Sequence, residues 1–231
     1  GGPEAATLLI QGTIPANRSS FAVKGAIHHP DACFRAELEK RLKGKGITLD
    51  KQKIEDGERH ALLTTVSPFL KDIVYYTNKN SINLFAEALG ELISPTDYAR
   101  TVKAELSGMG IDSCGITLKD ASGLSPANAV PAEVFTDLLI WAKGHLSDAF
   151  VASLPQGNVD WGLRIYSDHP VLRENVIAKT GSMSGVRALA GYLKTQRGET
   201  LAFTILVNNY VGDPVKVQEI IRDLLKEFAD K

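Results

Sequence analysis

An α+β fold, an antiparallel sheet flanked by helices, is what this sequence predicts, on three observations. Residues 175–182, 186–195 and Thr200–Asn208 are strand-like runs separated only by short turns, and consecutive strands joined that way pair antiparallel. After Pro214, the residues Val217, Ile220, Ile221, Leu224, Leu225 and Phe228 recur at helical spacing, so an amphipathic helix with those six on its buried side closes the chain. Ahead of the strands, the apolar residues recur mostly at helical spacing, which puts helices before the sheet instead of alternating with its strands.

The elements follow in order. Residues 7–12 and 21–27 read as two strands around the turn-rich Pro15-Ala16-Asn17-Arg18-Ser19. Two strands alone are marginal in water, so these are expected to be the tail of something larger. Pro30 opens a helix with Phe34, Leu38 and Leu42 on one face, ended by Gly44 and Gly46. Ile47-Thr48-Leu49 and residues 62–66 read as short strands. Ser67-Pro68 is an N-cap and first-turn pair for a helix through Leu70, Ile73 and Val74 that stops in Thr77-Asn78-Lys79-Asn80. Leu84, Phe85, Ala88, Leu89, Leu92 and Ile93 mark an amphipathic helix beginning near Ser81. Pro95 is expected to start the next, with Tyr98, Val102 and Leu106 inward and Gly108 and Gly110 closing it. Residues 111–130 are turn-rich, and Ala132–His145 is a helix.

With 231 residues, 44% of them hydrophobic, the chain can bury one sizeable domain plus a small appendage. A net charge of −1 gives no reason to expect nucleic acid or an anionic membrane as partner. No apolar run is long enough for a transmembrane helix, and no signal peptide opens the chain. Cys33 and Cys114 are too few for a disulfide framework; two buried or half-buried thiols are expected, with a single bridge left open. The five histidines lack metal-ligand spacing. No metal or other cofactor is expected.

The chemistry-bearing residues are Ser81-Ile82-Asn83 and Lys179-Thr180-Gly181. Acyl transfer from an amide needs a nucleophile, a proton shuttle, positive charge and donors aimed at the oxyanion. Lys179 on a strand supplies the charge beside the reacting carbonyl. Thr180 and Ser182 offer hydroxyls to a substrate carboxylate, and the Ser182 N–H is a candidate oxyanion donor. Gly181 lets a peptide lie against the strand edge. Ser81, at a helix mouth, can relay a proton, and Asn83 can hold a substrate carbonyl. Each motif alone is a weak signal; for Ser81 the plain structural alternative is a helix N-cap. The Ser-x-x-Lys that would carry a nucleophile occurs nowhere in the 231 residues. Ser20 and Lys24 have three residues between them, and the extra residue turns the lysine about 100° around a helix.

Order and flanking residues make the pattern specific. Residues 80–87, the run Asp120-Ala121-Ser122-Gly123-Leu124-Ser125, residues 178–186 and Ala188-Leu189-Ala190-Gly191-Tyr192 resemble the class C low-molecular-mass penicillin-binding proteins, which are D-alanyl-D-alanine carboxypeptidases and endopeptidases. The resemblance spans residues 25–231. It departs at Ala121, where glycine is usual, at Pro126, where arginine is common, and at residues 157–164. It implies a serine β-lactamase/transpeptidase-like domain, incomplete at its N-terminus. Residues 1–28 would be the remnant of an inserted β domain and residues 29–231 the C-terminal part of the transpeptidase-like domain, with the nucleophile upstream of Gly1.

The implied function is part of a serine-type carboxypeptidase or endopeptidase acting on peptidoglycan stem peptides through an acyl-enzyme. Ser81, Asn83 and Lys179 would be catalytic, and Thr180, Gly181 and Ser182 substrate-binding. Asp120, Ser122 and Gly123 match a loop near the site and receive no catalytic role. β-Lactams would acylate the complete enzyme, while this chain would be inactive alone. The family's address is the periplasm or cell envelope. Two alternatives stand beside it: a non-catalytic peptidoglycan-binding or scaffold module that keeps the cleft, and a serine β-lactamase, ranked lower because no deacylation glutamate motif is present. The edge of the strand Thr200–Asn208 is expected to lack a partner and to promote self-association.

Overall fold

A computed structural model describes residues 12–14, 16–17, 20–22, 29–48, 61 and 63–230. The chain divides into two compact units, Gly1–Thr64 and Thr65–Lys231. The strands expected at residues 7–12 and 21–27 fall largely outside the described residues, as does Leu49.

In the first unit, helix α1 (Pro30–Gly44) starts where expected, with proline in its first turn. Glu37 accepts from Arg41 Nε at 2.9 Å. Gly46, with φ 75°, lets the chain turn back so that Ile47 N–H bonds Leu42 O at 2.9 Å, the left-handed ending that glycine favours. Phe34 and Leu38, read as one apolar face, are both exposed. Cys33 and Cys114 are exposed too, contrary to the expected burial.

Residues 63–66, where the first unit's sequence gives way to the second's, are not a strand, and Leu63 and Val66 lie exposed. A β-branched run becomes a strand only where a neighbouring edge satisfies its backbone. Helix α2 (Leu70–Asn80) begins two residues after Pro68, with Phe69 at its N-cap. It turns at Ser81 into α3 (Asn83–Ile93). Helix α4 (Tyr98–Gly108) starts later than Pro95 because Asp97 takes the N-cap, its carboxylate accepting from Arg100 N–H at 3.2 Å. Helix α5 (Ala132–His145) has the expected bounds. The short helix α6 (Asp148–Ser153), a 3-10 turn at Trp161–Tyr166 and the short helix α7 (Pro170–Asn175) then lead to the sheet.

Strands β1 (Val176–Met183), β2 (Val186–Lys194) and β3 (Thr200–Asn208) form an antiparallel sheet in that order. Its register pairs Lys179 with Ala190, Thr180 with Leu189 and Ser182 with Arg187. Gly191 stands opposite Ala178, and a Cβ there would collide with Ile177 O and with Ala178. The side chain is excluded because the two strand backbones pass so closely.

Both faces of the sheet are covered. Ala178, Leu189 and Leu193 pack with Leu163, Leu172 and the inner residues of α8 (Pro214–Ala229). On the other face Tyr192 packs with Leu139 of α5 and with Leu154, and its hydroxyl donates to Leu139 O at 2.7 Å. The buried stripe of α8 is narrower than its sequence suggests. Ile221, Leu225 and Ala229, four residues apart, are buried, whereas Ile220, Leu224 and Phe228 remain exposed. Periodicity reports which residues share a side of a helix, but not how far the neighbouring layer wraps around it.

Candidate active site

The corner between α2 and α3 and the second half of β1 build the site. Ser81 is the C-cap of α2, with φ 53° and ψ 52°, and its N–H bonds Thr77 O. Left-handed backbone is unusual for serine. Ile82, not Ser81, is the N-cap of α3. The hydroxyl of Ser81 is therefore not spent on capping. It lies 3.0 Å from Lys179 Nζ, which donates to it and also to Thr180 O at 2.8 Å. Burial holds the Lys179 amine below the ordinary lysine range, because a desolvated ammonium is disfavoured.

Asn83 is two residues further on, in the first turn of α3, exposed and without a hydrogen bond to its side chain among the described residues. Thr180 is half-buried; a Cβ on Gly162 would meet its Oγ1 at 3.4 Å, so the 3-10 turn lies directly over it. Gly181 faces Ala188 of β2, and a Cβ on it would come within 3.3 Å of that methyl. Ser182 is exposed near the end of the strand.

The outer edge of β1 is occupied only over its first half. Ala178 N–H bonds Pro155 O at 2.9 Å, and Gly157 N–H bonds Val176 O at 3.0 Å. Past Ala178 no strand pairs with that edge among the described residues. An extended peptide could add there through its backbone, with Lys179 and Ser81 at one side and the Ser182 N–H at the other.

Sequence reasoning missed the bracing groups. Lys79 donates to Leu154 O and to Asp160. Glu87 of α3 accepts from Ser122 N–H at 3.0 Å and Ala121 N–H at 3.4 Å, tying that helix to the loop after Asp120. Asp120 accepts from Gly123 N–H, Ser125 N–H and the Asn128 amide at 2.8, 2.6 and 2.8 Å. Partial burial pushes its carboxyl up, and the bonds from Asn128, Ser125 and Gly123 outweigh that and leave it below the usual carboxylate range. The only signal in the sequence was that Asp120 and Glu87 fell within the blocks carrying the resemblance.

Comparison with known proteins settles the lineage. The model of the D-Ala-D-Ala carboxypeptidase 3 (S13) family matches residues 3–231. The chain belongs to that family. Among curated relatives, the D-alanyl-D-alanine carboxypeptidase of Actinomadura sp. (strain R39) is 31% identical over 96% of this chain and 45% of its own length. The carboxypeptidase DacB of Haemophilus influenzae is 30% identical over 88% of this chain and 46% of its own. The chain thus spans about half the length of the curated relatives it matches. Penicillin binding protein 4 of Haemophilus influenzae, solved in complex with a β-lactam, superposes with a TM-score of 0.79 at 28% identity, covering 91% of this chain and 54% of that one. The TLA-1 β-lactamase, at 16% identity and a TM-score of 0.55, shares the fold alone. The S13 membership and these neighbours bear out the family and the β-lactamase-like α+β fold read from the sequence. Among the described residues, no helix is long and apolar enough to cross a membrane.

Proposed function

We propose that this chain carries the substrate cleft of a serine-type D-alanyl-D-alanine carboxypeptidase or endopeptidase, which opens peptidoglycan stem peptides through an acyl-enzyme and is acylated by β-lactams. The observation that supports this most is the 3.0 Å contact between Lys179 Nζ and Ser81 Oγ at the unpaired edge of β1. In this reading the Thr180 and Ser182 hydroxyls hold the terminal carboxylate, the Lys179 charge acts beside the reacting carbonyl, and Gly181 lets the peptide backbone approach. The Ser182 N–H faces the developing oxyanion, Asn83 holds the amide on the acyl side, and Ser81 passes a proton to the leaving D-alanine under the influence of Lys179. The attacking hydroxyl belongs to a Ser-x-x-Lys segment outside these 231 residues.

Residues 1–28 are the end of an inserted β domain, residues 29–231 are the C-terminal part of the transpeptidase-like domain, and the enzyme works in the periplasm or cell envelope. The outer edge of β3, which has no strand partner among the described residues, pairs with a second copy when nothing else covers it. Light scattering tests that point: dimers or larger species are expected, and a monodisperse monomer contradicts it. A second reading is a module that binds stem peptides without cleaving them, and a native chain lacking Ser-x-x-Lys along its whole length would favour it.

Both readings require the cleft to recognise a D-Ala-D-Ala end. The test is a titration of the 15N-labelled chain with an acetylated peptide ending in D-Ala-D-Ala. Amide shifts are expected at Thr180, Gly181 and Ser182, with none from the L-Ala-L-Ala peptide. Equal responses to both peptides, or none on β1, would remove the proposal.

A further inference from the structure

Two residues ahead of Ser81, Lys79 is drawn inward, its side chain only 10% exposed. Its Nζ donates to Leu154 O at 2.7 Å and to Asp160 Oδ2 at 3.0 Å, and it lies 5.7 Å from the centre of the Tyr75 ring. Asp160, itself 19% exposed, accepts from Gln156 N–H at 2.7 Å with the same oxygen. Beside Lys79, the Asn78 amide donates to Ser153 Oγ at 2.8 Å, and Ser153, which is fully buried, donates to Phe150 O.

The segment gripped in this way is the one that borders β1. Ala178 N–H bonds Pro155 O and Gly157 N–H bonds Val176 O, which sets Gln156 opposite Ile177, and residues 176–178 run directly into Lys179. A Cβ on Gly157 would come within 2.9 Å of Leu172 O and Arg173 O, so this border has no slack on its far side. The circuit runs from Ser81 through Lys79 and Asn78 to residues 153–160, across to residues 176–178, and back from Lys179 to the Ser81 hydroxyl.

We propose that Lys79, with Asp160 as its counter-ion, is a positioning residue of the cleft, holding the α2–α3 corner against β1 so that Ser81 Oγ meets Lys179 Nζ. A buried ion pair adds little net stability over apolar side chains of the same volume. What a lysine offers here is a long stem with directed donors, which fixes a distance between two elements. The pair also grips backbone on one side and a carboxylate on the other, so translation and rotation of the corner are both restrained. This inference rests on reading Ser81 and Lys179 as members of the acyl-transfer cleft.

The test follows the titration of Lys179 by NMR of 13C-lysine-labelled chain, with folding checked by the amide spectrum. In Lys79→Met/Asp160→Asn, the Lys179 midpoint is expected to move up toward the ordinary lysine range, as the corner parts and water reaches the amine. Lys79→Arg, which can still donate to both partners, is expected to keep the wild-type midpoint. Leu106→Ala on α4, buried in a cluster with Ile111, Ile116 and Val134 that holds no residue of the circuit, is expected to lower the melting temperature without moving it. An unchanged midpoint in the folded double variant overturns the proposal, as does an equal shift in Leu106→Ala. Should the double variant not fold, Asn78→Ala removes only a neutral bond. A smaller upward shift there supports the proposal, and no shift overturns it. The result is independent of peptide binding: loss of D-Ala-D-Ala recognition with this titration intact strikes the functional reading alone.

Discussion

Ser81 holds a left-handed backbone, φ 53°, that costs an ordinary side chain about 1–2 kcal/mol. Ser81→Gly is therefore expected to raise stability by up to about 1 kcal/mol while abolishing the proposed proton relay. Chemical denaturation reads the first and β-lactam acylation of a catalytically complete protein reads the second; a destabilised glycine variant contradicts the strain. Strain at a residue whose hydroxyl meets the Lys179 amine fits a position retained for chemistry.

Lys179 shows the same tension, because its amine stays half-buried at a cost to the charged form. A lysine whose folded pKa is depressed binds fewer protons in the folded state, so its contribution to stability improves as pH rises from below the folded value to the unfolded value of about 10.4. Asp120 runs the other way. Its carboxyl is depressed by hydrogen bonds, so its contribution is complete above the unfolded pKa of about 3.9 and is lost as pH falls below that through the folded value. Amide exchange at Gly123 and Ser125 is expected to lose protection in that acid window. Protection that instead falls away above pH of about 5 contradicts the assignment.

Among the elements, β1 and β2 admit no slack at Gly191. Gly191→Ala forces a methyl into Ile177 O and Ala178 and is expected to cost at least about 2 kcal/mol, measured by urea unfolding; an effect under about 0.5 kcal/mol contradicts the close approach. On α8, Leu225→Ala is expected to cost about 2–5 kcal/mol. Ile220→Ala, at a position 68% exposed, is expected to cost under about 0.5 kcal/mol. Equal costs contradict the narrow stripe. The sheet strands and α5 were legible in sequence because β-branched runs, short turns and a long apolar period act locally. Helix starts at Pro68 and Pro95 were misplaced, since a proline allows a first turn without dictating it and the Asp97 carboxylate set the later start of α4. Ser81 was legible as a chemical group but not as a C-cap, which depends on how α2 and α3 meet.

At the scale of the whole molecule, the candidate cleft joins groups 98 residues apart, Ser81 and Lys179. The order of the motifs along the chain makes that meeting readable from the amino acids alone. The brace between Lys79 and Asp160 spans 81 residues with no motif to announce it, and only folding brings the two together. Lineage is firm, whereas chemistry still requires a hydroxyl that these 231 residues do not supply in a Ser-x-x-Lys setting. Fluorescent penicillin is accordingly expected to leave no covalent band on this chain alone, and a strong band would place the nucleophile within it.

The most direct measurement of the central claim uses a polypeptide that joins this chain to a Ser-x-x-Lys segment on its N-terminal side, and compares its rate of acylation by fluorescent penicillin with Lys179 intact and as Lys179→Ala. A fall of at least about 100-fold with an unchanged melting temperature is the predicted result. Labelling of the alanine variant at close to the unmodified rate would contradict the role given to the Lys179 amine, and with it the cleft.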